Sequence, residues 1–127
     1  MTYRDELPQN CPPLCAREIQ EPCQVYRLVR SNLATASDFL SERALCPERT
    51  FHVSECQARG LSVFLEADDC MKVRKLPSFR NKPQCRVCRI TLGPGAGSLL
   101  QTGQWSHHTW WPYAAYDVLQ GCEVMDQ

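Results

Sequence analysis

The sequence predicts an α+β fold: one small domain, residues 1–127, with a bent or split, mostly antiparallel sheet of about five strands and about three short helices. Three observations predict it. At 127 residues the chain has single-domain size and buries roughly two-thirds of its unfolded surface, so it needs no metal or staple to fold. Several short runs rich in β-branched and aromatic residues are punctuated by glycine and proline, as strands are. The tight turn "GPGAG" joins two of these runs, which makes an antiparallel hairpin.

Taken in order, residues 1–12 read as an extended lead-in, closed by "CPP". Pro13 opens a predicted short helix, "PLCAREIQ", which must stop near Pro22. "CQVYRLV" is apolar on both faces, the mark of a central strand. "ATASDFLSERAL" reads as a helix, with Thr35 and Asp38 spaced as a capping box. "CPERTFHVSECQA" reads as a loop with a short extended piece. "GLSVFLEADDCMKVRKL" is a strand-to-helix unit. Its acids Glu66, Asp68 and Asp69 gather at the helix start and its bases Lys72, Arg74 and Lys75 toward the end, which suits the helix dipole. Pro77 ends that helix, and "PSFRNKP" is a basic loop. "QCRVCRITL" and "SLLQT" form the hairpin. An aromatic loop, "SHHTWWPY", follows, then a short helix or turn around "PYAAYDVL" and a last strand in "GCEVM".

Apolar content of 43% with 22% charged residues excludes wholesale disorder. No apolar run has the length of a membrane span. The start "MTYRDELPQN" has no apolar core of a secretory signal, so the expected compartment is the cytoplasm. Nine cysteines at irregular spacing are then expected to be reduced, mostly buried thiols. A four-thiolate zinc site from Cys11, Cys15, Cys85 and Cys88 is the alternative. On a strand, however, Cys85 and Cys88 face opposite sides, and no metal is expected.

The net charge is zero but unevenly spread. Residues 1–69 hold eleven acids and seven bases, whereas residues 70–116 hold no acid and seven bases: Lys72, Arg74, Lys75, Arg80, Lys82, Arg86 and Arg89. Such a stretch points to an anionic partner, a small molecule or a nucleic acid. It reads equally as a solvated face paired with the acidic N-terminal half. A protein partner at this segment and the aromatic loop 105–116 is a further option.

Arg27 shares a strand face with Val25 and Val29. It must be paired internally, with an N-terminal acid for instance, or hold an anion in a cleft. Ser62, Phe64 and Glu66 share a face of the next strand, where a serine either orients a ligand or bonds backbone. His107 and His108 are adjacent and point apart. Beside them Thr109 adds a hydroxyl, and Trp110 and Trp111 offer rings for stacking or for the core.

The elements "VYRLVRSN", "SDFLS", "RGLSVF" and "SHHTWWP" resemble a family of small bacterial proteins that brings no activity with it. The succession "YR", a helix, "GLSVF" and "CRVCRITL" is similar to the opening of ADP-ribosyltransferase-like domains, including the small toxins of that superfamily. This resemblance implies a split, strongly bent sheet with NAD in its cleft. It implies that Arg27, with Arg86 among the bases of 72–89, holds the NAD phosphates. Ser62 would support the nicotinamide ribose, Tyr26 or Phe64 would pack on the nicotinamide, and Glu123 would be the catalytic glutamate. The RNA 2'-phosphotransferase branch would use His107 or His108 instead. The paired-glutamate motif of the family is absent.

Overall fold

The computed structural model describes residues 1–77 and 85–125. Its strands are β1 (Arg17–Glu18), β2 (Cys23–Val29), β3 (Leu61–Phe64), β4 (Arg86–Leu92), β5 (Gly97–Gln101), β6 (His107–Pro112) and β7 (Cys122–Val124). The helices are α1 (Glu42–Leu45), α2 (Glu55–Ala58) and α3 (Ala67–Arg74), with a 3-10 turn at Ala36–Phe39. The α+β class holds, but the sheet has seven strands rather than five, in the order β1-β5-β6-β3-β2-β4-β7. Every pairing is antiparallel.

The sheet is split between β2 and β3. Seven registered pairs join β2 to β4, and four join β3 to β6. Between β2 and β3 only Tyr26 and Phe64 are in register. Two half-sheets, β1-β5-β6-β3 and β2-β4-β7, are therefore joined at one pinch.

Directly opposed residues share a face, so the register sorts the side chains. One face carries Val25, Val29, Leu61, Val63, Cys88, Ile90 and Trp110, the main core, closed by Ile19, Phe39 and partly buried Tyr116 and Leu119. The other carries Phe64 and Val87, packed on Cys70 of α3 with Tyr26 and Leu28 beside them. A sheet covered on both faces shows no polar alternation, which is why "HHTWWP" reads as a loop by eye and folds as β6.

Other elements also depart from expectation. "PLCAREIQ" forms no helix, since so short a segment does not recover the cost of helix nucleation. It lies along the sheet edge as β1, with Arg17 opposite Leu99 and Glu18 opposite Ser98. The helix expected over 34–45 breaks at Leu40, which is extended, and Ser41 caps a new start by accepting from the Ala44 N–H. Ser54 likewise caps α2, inside the expected loop. Gly97 begins β5 with φ of 123°, and a Cβ there would land on the Trp111 carbonyl oxygen. The basic-loop residues 78–83, Arg80 and Lys82 among them, lie outside the described residues.

The cysteines depart too. Cys11 and Cys56 form a disulfide that ties the lead-in to α2. Of the seven free thiols only Cys70 and Cys88 are buried. Among the described residues no helix is long and apolar enough to cross a membrane.

Candidate functional site

Arg27 lies on the core face of β2, just past the pinch. Its Nε donates to the Asp38 carbonyl at 3.0 Å, and Nη1 donates to the Ser62 carbonyl at 2.7 Å. The guanidinium also stands over the Phe39 ring, 5.8 Å from its centroid. The expected N-terminal acid is not its partner. Among the described residues no carboxylate lies within ion-pair distance of Arg27. The Asp38 carboxylate is engaged elsewhere, accepting the N–H groups of Arg30 at 3.0 Å and Thr35 at 2.9 Å. Burial lowers the Arg27 pKa to about 10, with Glu42 offsetting part of that effect and Arg4 adding to it.

The other candidates divide between the two faces. On Arg27's face, Arg86 stands opposite Val29 and His108 opposite Val63. His108 Nδ1 donates to the Ser106 carbonyl at 2.8 Å, which leaves Nε2 as the ring's acceptor. Trp110 is on this face as well but is 0% exposed and donates to the Ala96 carbonyl. It is part of the core rather than a stacking platform.

On the opposite face one row crosses five strands: Glu123, Arg89, Tyr26, Phe64 and His107. His107 donates from Nδ1 to the Thr102 carbonyl at 2.8 Å and meets Phe64 edge-on at 5.2 Å. Burial pushes its pKa down. Ser62 is exposed, opposite Thr109, and Thr109 is itself buried and bonded to the Thr102 hydroxyl at 2.7 Å. Glu123 is on the sheet edge in an ion pair with Arg89 at 2.8 Å.

Arg27 and Ser62 therefore meet, but through the Ser62 carbonyl rather than its hydroxyl. Glu123 and His107 do not meet Arg27. The four cysteines weighed as a zinc site are not a set, because Cys11 is bonded to Cys56. Among the described residues no group of three or more metal-binding side chains converges.

Ser106, not singled out in the sequence, and Asp38, read there only as a capping residue, also shape the site. Ser106 gives its carbonyl to His108, and its N–H donates to Asp69 at 3.1 Å. Asp38 supplies the carbonyl that holds Arg27. The capping-box spacing at Thr35 and Asp38 was the available signal for the turn, but not for the carbonyl's role.

No family model, no curated protein and no solved structure matches this chain.

Proposed function

We propose that this chain binds a nucleotide by its pyrophosphate at Arg27, where the half-sheets part, and that NAD is that nucleotide. One observation carries the reading: a half-buried guanidinium with no carboxylate within ion-pair distance among the described residues. A desolvated cation favours an anionic partner. A guanidinium has five N–H donors, and the two backbone carbonyls take only two of them. The rest suit paired phosphate oxygens.

The split at Tyr26 and Phe64 supports the ADP-ribosyltransferase-like reading, in an enzyme or a toxin. NAD would supply the glycosidic bond whose cleavage such transfer requires. The fit covers the phosphate half only, because Glu123 and His107 lie on the other face. No transfer step is assigned to them. A second reading, a nucleic-acid module, draws on Trp105, which is 45% exposed and has Lys72 Nζ 5.3 Å from its ring centroid.

A thermal-shift titration with NAD, ATP and a short RNA at low and high salt separates the two. A stabilising shift with NAD that survives added salt is expected. A shift with RNA alone, lost as salt rises, would replace the nucleotide reading with the nucleic-acid one.

A further inference from the structure

A second concavity owes nothing to Arg27. Between the segment 15–23 and the neighbouring ends of β3, β5 and β6 runs a groove of about 500 Å³, a volume that takes a small molecule. Its walls include Ile19, Leu65 and Leu99, and His108 and Gln101 are also in its lining.

These two polar side chains stand directly opposite each other on β6 and β5. His108 has committed its ring donor, and Gln101 one of its two amide donors. His108 gives its Nδ1 hydrogen to the Ser106 carbonyl, and Gln101 gives an Nε2 hydrogen to the Trp105 carbonyl at 3.0 Å. What remains includes the imidazole lone pair at Nε2 and the Gln101 amide oxygen, two acceptors side by side, with the second Gln101 N–H next to them. Arg17 and Glu21 are in the same lining, whereas Glu18, opposite Ser98, belongs to the other face of the sheet with Trp111. A groove with apolar walls and two acceptors side by side complements a flat ligand that carries N–H donors.

We infer that this groove is a binding site for a planar heterocycle with exocyclic and ring N–H donors, of the nucleobase class. Its apolar faces pack between Ile19 and Leu99, and its donors go to His108 Nε2 and the Gln101 oxygen.

Histidine-labelled protein titrated with adenine, and separately with benzoate, tests this by NMR. Adenine is expected to move the His108 ring signals along a saturating curve, with a dissociation constant on the order of 1 mM for so small a probe. Benzoate, equally flat but without an N–H donor for His108 Nε2, is expected to leave them in place. Gln101→Arg, at an exposed position, replaces an acceptor with a cationic donor and is expected to abolish the adenine response. Unmoved His108 signals, an equal response to benzoate, or full adenine binding by Gln101→Arg would each overturn the assignment. Retained pyrophosphate binding in Gln101→Arg would show that the Arg27 site stands or falls separately.

Discussion

The Arg27 Nη1 atom lies 2.7 Å from the Ser62 carbonyl oxygen, and this bond joins the two half-sheets where their own ladder has given out. Backbone pairing between β2 and β3 stops at Tyr26 and Phe64. A side chain replaces the missing ladder bonds, and the same side chain carries the charge that a ligand phosphate would meet.

Arg27→Ala should therefore destabilise the fold by about 2–4 kcal/mol, since it strands two carbonyls and empties the space over Phe39. Arg27→Lys should cost less, because one ammonium can still reach one carbonyl. Urea denaturation of the three proteins gives the comparison. A loss below about 1 kcal/mol for Arg27→Ala would show that the strut contributes little.

The disulfide between Cys11 and Cys56 spans 45 positions of sequence. Closing a loop of that length stabilises by up to about 4 kcal/mol through the unfolded chain. Replacing both cysteines with serine should lower the melting temperature, and reductant should then have no further effect. Peptide mapping of the untreated protein by mass spectrometry should recover the Cys11–Cys56 link.

Gly60 begins the approach to β3 with no room for a side chain. A Cβ there would meet Thr109 Cγ2 and come within 3.0 Å of Trp111 Nε1. Trp111 donates that N–H to the Cys56 carbonyl at 2.8 Å, so it cannot swing away without losing a buried bond. Gly60→Ala should cost about 1–3 kcal/mol, read as a lowered denaturation midpoint.

Glu55 accepts from Arg43 and Arg59 at 2.8 and 2.7 Å. The two guanidinium groups draw its pKa down to about 2. A carboxylate held below its ordinary value contributes stability at neutral pH, and that contribution fades as pH falls below about 4.5 toward 2. Glu55→Gln should thus be less stable than the parent at pH 7 and approach it on acidification. A constant gap across that range would contradict the ion-pair account.

Much of the fold was legible because local signals and packing agree. "CQVYRLV" is apolar on both faces, "QCRVCRITL" is rich in β-branched residues, and the two became the fully paired strands β2 and β4. The turn at "GPGAG" misled: β4 pairs with β2 and β7, and β5 with β1 and β6, so the turn carries the chain from one half-sheet to the other instead of closing the expected hairpin between "QCRVCRITL" and "SLLQT". "SHHTWWPY" misled because buried strands lack alternation, and its histidines are satisfied by carbonyls at Thr102 and Ser106 that no spacing rule identifies. Arg27 was legible as a charge on an apolar strand. Its partners were not, because they are backbone oxygens of Asp38 and Ser62, and backbone carries no mark in a sequence. The division of Ser62, His107 and Glu123 from Arg27 depends on register across four pairings, which strand-by-strand reading leaves open.

The most direct test of the central claim is calorimetric titration of NAD into the parent protein and into Arg27→Lys, each first shown to be folded. The account predicts binding by the parent and a loss of roughly tenfold or more in affinity for Arg27→Lys. No binding by the parent, or equal affinity in the two proteins, would contradict it and leave Arg27 a structural strut between the half-sheets.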